Sequence, residues 1–413
     1  MLLFFSKIIY QISVNAYHFF IGAISLFNQK AYKFTEGRIN QTIASSAEKT
    51  IWFHCASLGE FEQAKPLITW CYNNLSEPII LTFFSPSGYT YKNNYPLARA
   101  VYYLPIDQAS QAKEFIDQIN PSLVFFIKYE FWYFYLNELK QQQIPHYLVA
   151  GIFRKEQLFF RPIGALHSAM LASFDHVFVQ DEASLKLLQE HNFTNSSLAF
   201  DPRFDTVKHT STQNFQNEII EEFIGNKKCF IVGSSWPKDE QLIYRCLPEL
   251  ADYKIIIAPH NINHQRVKQV NKLFTSSTLL SNPIDLISSK VLIIDSIGKL
   301  SSLYRYANLC YVGGGFGMSV HNVLEAAVYG NALIFGPKHS KSKEANDLLE
   351  LGAAFEVRND ADFKQVLSHY TDENALNLSK LLSKEYVENR LGGTETVMIK
   401  LLKDGIIKTR KTL

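Results

Sequence analysis

Residues Asn308–Gly330 read NLCYVGGGFGMSVHNVLEAAVYG. Leu309 to Val312 is an apolar run of buried-strand length that meets glycines at 313, 314, 315 and 317. His321 and Asn322 follow, and then Val323, Leu324, Ala326 and Ala327 recur as one face of a helix. The pattern is a strand, a turn almost bare of side chains, and a helix, which is one βα unit of a parallel sheet. Such a turn can aim backbone N–H groups and a helix N-terminus at a phosphate. It can equally be only a tight strand-to-helix connection. It matches neither GxxxxGK[ST] nor GxGxxG, because position 318 is Met.

Working outward, apolar runs of the same kind recur on both sides. Phe230–Val232, Ile255–Ala258, Val291–Ile294, Ala332–Phe335 and Ala354–Val357 join Leu309–Val312 in one series. Ile51–Ala56, Ile79–Phe84, Val101–Leu104, Leu123–Ile127, Tyr147–Ile152 and Val177–Val179 form an earlier one. Near-continuous apolar runs suit strands covered on both faces. Stretches such as Gln108–Ile119, Ala183–His191, Gln265–Phe274 and Lys299–Tyr306 read as the intervening helices. The expected architecture is α/β, two doubly wound Rossmann-like domains with a cleft between them. The polar stretch Asp205–Asn217 is the expected linker, giving domains at 30–205 and 206–413.

Composition narrows the class. Of 413 residues, 47% are hydrophobic and 19% charged, which describes a folded chain with ample core. The net charge of +2 gives no support to a nucleic-acid partner. The five cysteines (55, 71, 229, 246 and 310) are scattered with no CxxC pair. They read as reduced, buried thiols of a cytoplasmic setting.

Residues 1–29 stand apart. Ile8 to Phe27 is uncharged and has the length of a membrane-crossing helix, although Gln11, Ser13, Asn15 and His18 interrupt it. No small-x-small cleavage site follows. The expectation is a membrane-associated helix, either a spanning anchor or one lying in the interface, with a buried N-terminal core helix as the alternative. Lys30, Lys33 and Arg38 follow it and place that flank on the cytoplasmic side.

Chemistry-bearing residues cluster where strands end. Ser57 and Glu60, in HCASLGE (54–60), follow the first strand; Glu60 is a candidate general base or a helix-first-turn carboxylate. Ser85 lies in TFFSPSGY (82–89), and Glu130 in KYEFW (128–132) brings a second carboxylate to the same edge. Arg154 and Arg203 can each bind an anionic sugar acid or phosphate, or form a structural ion pair. In the second half, Ser234, Pro259, His260, the Ile297-Gly298-Lys299 segment and Gly314-Gly315 all end strands. Asn322 and Glu325, three apart, fall on one helix face. His260 and His264 have i,i+4 spacing but no HExxH glutamate, so no metal is expected.

Together these motifs resemble the Kdo (3-deoxy-D-manno-octulosonic acid) transferases of lipopolysaccharide synthesis. HCASLGE, TFFSPSG, YYLPID (102–107), YEFW, DPRFD (201–205), GSS (233–235), the 295–304 segment and GGGFGMSVHNVLE (313–325) carry the resemblance. It implies a GT-B glycosyltransferase that moves Kdo from CMP-Kdo to a lipid A precursor with inversion, without metal or cofactor. It places the enzyme at the bacterial inner membrane, with the catalytic domains facing the cytoplasm. By position Glu60 is the general base, and Glu130 and Arg203 are transition-state or orienting groups. Pro259-His260, Ile297 to Lys299 and Asn322 to Glu325 match CMP-binding segments. Ser57, Ser85 and Arg154 are candidates for the acceptor or the Kdo carboxylate. His260 stands where the family usually has Arg, Lys299 where it has an acid, Arg203 for Lys, and Lys128 for a glutamate.

Overall fold

The computed structural model describes residues 2–410. The chain forms two compact units, Met1–Asp205 with Gly392–Leu413, and Thr206–Leu391.

The first unit is built on a seven-stranded sheet, β1 (Thr50–Cys55), β2 (Ile79–Phe83), β3 (Ala100–Tyr103), β4 (Pro121–Ile127), β5 (His146–Gly151), β6 (His176–Val179) and β7 (Ser196–Leu198). All pairs are parallel, in the order β3-β2-β1-β4-β5-β6-β7. Alternation along β1 sends Ile51, Phe53 and Cys55 to one face and Trp52 to the other. The helix Leu58–Asn74 covers the first face with Phe61, Ala64, Leu67 and Ile68. Helices Ala109–Ile119 and Tyr133–Gln141 cover the second. Both faces are therefore dry, which is why the strands read as unbroken apolar runs.

The second unit repeats the plan with β8 (Lys228–Ser235), β9 (Tyr253–Pro259), β10 (Ser277–Leu279), β11 (Val291–Ile293), β12 (Leu309–Val312), β13 (Ala332–Phe335) and β14 (Ala354–Glu356). The order is β10-β11-β9-β8-β12-β13-β14, again all parallel. In each sheet the strand order reverses beside the first strand, between β1 and β4 and between β8 and β12. Doubly wound sheets bind ligands just beyond the carboxyl ends of such strands.

Three expectations need correction. First, 206–413 is not one domain. The helix Gly393–Lys403 places Val397, Met398 and Leu401 in the core of the first unit. The Asp205 carboxylate accepts the amides of Gly392 and Thr394 at 2.7 Å each. An amphipathic stripe announces that it covers a core but not which one. Second, the expected linker is largely the helix Arg203–Thr212. Third, residues 1–29 are not a separate element. The helix Leu2–Ser25 belongs to the first unit, held by the Tyr10 hydroxyl on Asp107 and by Asn15, which accepts from Gln108 at 2.8 Å. Among the described residues no helix is long and apolar enough to cross a membrane. The polar interruptions at 11, 13, 15 and 18 account for this. All five cysteines are buried and unbridged.

Candidate functional site

In the first unit the edge is assembled where β1, β2 and β4 end. Ser57, extended at φ −145°, caps the helix Leu58–Asn74 and accepts the Gly59 amide at 3.2 Å. Its hydroxyl donates to the carboxylate of Glu60, which is partly exposed. Ser85 sits alongside, with its amide on the Ala56 carbonyl at 2.8 Å and its hydroxyl 2.7 Å from that of Ser87. Glu130 arrives from β4 and is buried, at 6% exposure. The chain reaches it through Lys128, a non-glycine residue at φ +68°, and such backbone is held at functional sites more often than elsewhere.

Glu130 does not stand alone. His54 Nε2 lies 2.9 Å from its Oε2, and Trp132 Nε1 donates to the same oxygen at 2.8 Å. His54 Nδ1 lies 2.8 Å from the Thr82 hydroxyl, which accepts from Trp52 Nε1 at 2.8 Å. Thr82 and His54 are fully buried.

Two predicted basic groups behave differently. Arg154 is exposed, and its electrostatic influence, like that of Asp181 and Glu60, reaches Tyr129; burial is the larger effect there and raises that phenol. Arg203 is instead engaged with Asp201, its Nε at 3.0 Å and its Nη2 at 2.7 Å from one carboxylate oxygen. Gln63 Nε2 donates to the same oxygen at 2.8 Å. Burial works to raise the Asp201 carboxyl, but Arg203 and these hydrogen bonds outweigh it and hold the group below the usual range.

In the second unit, the loops after β8, β9, β11 and β12 come together. His260 donates its amide to the Ser235 carbonyl at 3.0 Å. Ser301, just beyond Ile297-Gly298-Lys299, donates to Glu325 at 2.7 Å, and Asn322 donates to the other oxygen of that carboxylate at 3.1 Å. Ile297 is 87% exposed and Gly298 has φ +83°. Ser234 holds φ +52°, a second strained non-glycine position at a sheet edge.

The glycine turn departs from its sequence reading. The Gly313 amide donates to the Gly233 carbonyl (2.8 Å), that of Gly314 to Asp239 (3.1 Å) and that of Gly317 to the Gly314 carbonyl (2.8 Å). These three N–H groups serve the turn itself. The helix beyond it, Leu324–Ala327, is a single turn and begins only after Asn322. The glycines are required by close packing: a Cβ on Gly315 would lie 2.6 Å from the Gly336 backbone, and Gly314 has φ +96°. Asn322 likewise precedes the helix rather than sharing a face with Glu325, and its side chain accepts the Leu324 amide at 3.2 Å.

The His260/His264 pair also dissolves, because His260 directly follows β9 while His264 opens a helix, so no helical register relates them. His260 stacks against two other rings: its centroid is 4.9 Å from that of Trp236 and 4.4 Å from that of His321. Trp236 Nε1 donates to His321 Nε2 at 2.9 Å. Burial, and then proximity to His260, lowers His321 to about 4, and burial lowers His260 as well. Both shifts favour the uncharged imidazole.

Sequence reasoning missed Asp239, which is fully buried and accepts from Gly314, Trp236 and the Tyr311 hydroxyl (2.8 Å). It also missed Trp236 and the partners of Glu130. PKDE after GSS gave the one available signal for Asp239, an acid in a helix first turn.

The family model described as 3-Deoxy-D-manno-octulosonic-acid transferase (kdotransferase) matches residues 31–206. The chain is 26% identical over 365 residues to 3-deoxy-D-manno-octulosonic acid transferase of Rickettsia felis, covering 84% of this chain and 76% of that one. This chain is similar to the Kdo transferases. It is also 24% identical over 384 residues to a bifunctional glycosyltransferase/methyltransferase of Fusobacterium nucleatum, spanning 88% of this chain but only 59% of that protein. Among solved structures, UDP-GlcNAc 2-epimerase from Neisseria meningitidis bound to UDP-GlcNAc matches with a TM-score of 0.61 at 13% identity, over 86% of this chain and 100% of that one. CalG4, the calicheamicin glycosyltransferase, matches at 0.54 and 13%, over 86% and 98%. At these identities the likeness is one of fold: two Rossmann-like units of the GT-B type.

Proposed function

We propose that this protein transfers Kdo from CMP-Kdo to a lipid A precursor in lipopolysaccharide synthesis. The observation that carries the reading is the position of Glu60. It is a partly exposed carboxylate, steadied by Ser57, beyond the carboxyl end of β1 where the strand order reverses, in a chain similar to Kdo transferases. Glu60 removes the proton from an acceptor sugar hydroxyl. The freed oxygen attacks the anomeric carbon in line, the bond from that carbon to the phosphate oxygen breaks, and CMP departs as an anion. A single displacement inverts the anomeric centre.

Glu130, its Oε2 fixed, presents the other oxygen to positive charge developing on the sugar ring. In the second unit the segments around His260, Ile297 to Lys299, and Asn322 to Glu325 hold CMP, with Lys299 as a cation for its phosphate. Arg154 is placed for the Kdo carboxylate. Neither a metal nor a cofactor has a part in this scheme.

The helix Leu2–Ser25 leaves Phe4, Phe5, Ile8, Ile9, Ile12, Phe19 and Phe20 exposed. A continuous apolar surface of this kind suits burial in the headgroup boundary of a bilayer, where a lipid acceptor resides. We assign the helix an interfacial role at the cytoplasmic face of the inner membrane.

The test is to incubate purified protein with a lipid A precursor and a CMP-Kdo-generating system and follow product mass, beside Glu60→Ala. A gain of one or more Kdo units, lost in the variant, supports the reading. A folded wild type that adds none removes it. Protection by CMP but not by UDP or GDP separates it from a transferase using another nucleotide sugar.

A further inference from the structure

We infer that His54 is a positioning residue for Glu130, fixing its Oε2 through an Nε2–H donor and leaving Oε1 for the substrate. The inference rests on the reading of Glu130 as a group at the reacting sugar, and concerns a residue to which that reading assigned nothing.

Its basis is a count of donors and acceptors. A neutral imidazole has one N–H and one lone pair, and the contacts decide which nitrogen holds which. If Nδ1 carried the proton, it would donate to Thr82. The Thr82 hydroxyl would then have only the Phe53 carbonyl at 3.4 Å to receive its own hydrogen. The Nε2 lone pair would face the Glu130 oxygen at 2.9 Å with no proton between them unless the carboxyl held one. With the proton on Nε2 every short contact to an oxygen is a sound hydrogen bond, and Trp132 Nε1, which also lies 3.0 Å from Nε2, directs its N–H to the nearer carboxylate oxygen instead. Trp52 N–H donates to the Thr82 oxygen (2.8 Å), and the Thr82 O–H donates to Nδ1 (2.8 Å). His54 Nε2–H then donates to Glu130 Oε2 (2.9 Å), which also receives Trp132 N–H (2.8 Å). The chain of donors runs one way, from the buried indole of Trp52 to the carboxylate.

Such a chain has a mechanical consequence. Trp52, Thr82 and His54 are each fully buried on adjacent strands, Trp52 and His54 on β1 and Thr82 opposite His54 on β2. The His54 ring also packs edge-on against Phe126 of β4 at 5.8 Å and Trp132 at 6.0 Å. The donor to Glu130 is thus set by the sheet itself rather than by a loop. Both donors that reach the carboxylate fall on Oε2, so its plane and its second oxygen are fixed before any substrate arrives.

The experiment has two parts. Imidazole-labelled wild type, compared with His54→Gln to assign the signal, reports the tautomer by nitrogen NMR without any substrate. An Nε2–H imidazole is expected, and an Nδ1–H one overturns the inference. Steady-state Kdo transfer is then compared for wild type, His54→Gln and His54→Leu. Gln can place an N–H near the position of Nε2, whereas Leu cannot. The expected result is a fall in kcat of about 10–100-fold for His54→Leu, the size of effect that losing an outer partner has on an oriented metal ligand. KM for donor and acceptor should stay nearly constant, and His54→Gln should recover most of the rate. Equal rates in the two variants, high or low, overturn the role. Thr82→Val removes the donor to Nδ1 while sparing both residues, and gives the same direction of change should His54→Leu not fold. A wild type inactive toward CMP-Kdo would sink the proposed function while leaving the tautomer result standing.

Discussion

Ser57 donates its hydroxyl to Glu60 and accepts the Gly59 amide through the same oxygen, so one side chain both starts a helix and steadies the candidate base. Replacing Glu60 by Gln keeps the shape and removes the basicity. The expected outcome is a kcat loss of roughly 10²–10⁴-fold, typical of a general base, with an unchanged melting temperature. Ser57→Ala should behave the other way round: it lowers unfolding free energy by about 1 kcal/mol through the lost cap, with a smaller effect on rate. Retention of most of the activity in Glu60→Gln would remove it from the chemistry.

Asp107 offers a pH test in the first unit. Burial pushes its carboxyl up to about 6, against the opposing effects of Tyr10 and the amides at the start of the helix Tyr133–Gln141. A folded-state value above the unfolded one means that the protonated group favours the folded chain. Its contribution is complete below about pH 4 and is lost as pH rises through about 6, on the order of 2–3 kcal/mol. Denaturant titrations of wild type and Asp107→Asn across pH 4–7 should differ by that slope, and parallel curves would refute it.

His321 predicts the opposite trend in the second unit. Its folded value, lowered to about 4 by burial first and His260 second, lies below that of the unfolded chain. The stability it contributes is present above about pH 6.5 and disappears as pH falls toward 4. His321→Phe retains a ring for the stack but cannot titrate. Its stability should fall less steeply than that of wild type over this interval, as read by unfolding monitored at Trp236.

Gly315→Ala tests the close approach of two loops. The added methyl meets the Gly336 Cα and carbonyl at 2.6 Å, and neither backbone atom can rotate away. Overpacking of this kind costs about 1–3 kcal/mol. A lowered unfolding midpoint is expected, whereas Ala at the exposed Gly298, which meets nothing within 4 Å, should alter it chiefly through its φ of +83°.

Much of this architecture was readable in advance because both sheets are covered on both faces. Twelve apolar runs announced twelve strands; the two that escaped, β7 and β10, are three-residue edge strands carrying serines, SSL and STL. Edge position removes the need for a continuous apolar run, and with it the signal. At the site, strand ends followed by Glu60, Glu130 and His260 were legible because sheet topology brings strand ends together. For Arg203 the sequence left an anion site and a structural ion pair both open, and only the structure shows its pairing with Asp201, two residues away. The stack of Trp236, His260 and His321 draws on three separate loops, and no local pattern encodes it.

The return of Gly392–Leu413 to the first unit makes Thr206–Leu391 an insertion within it. During synthesis, the inserted unit is complete while the first sheet still lacks the helix bearing Val397, Met398 and Leu401, so the apolar face under Leu58–Asn74 stays incompletely covered. Domains fold as units as they leave the ribosome. The inserted unit therefore closes first, and the one that begins the chain is sealed last, when Gly392 and Thr394 reach the waiting carboxylate of Asp205.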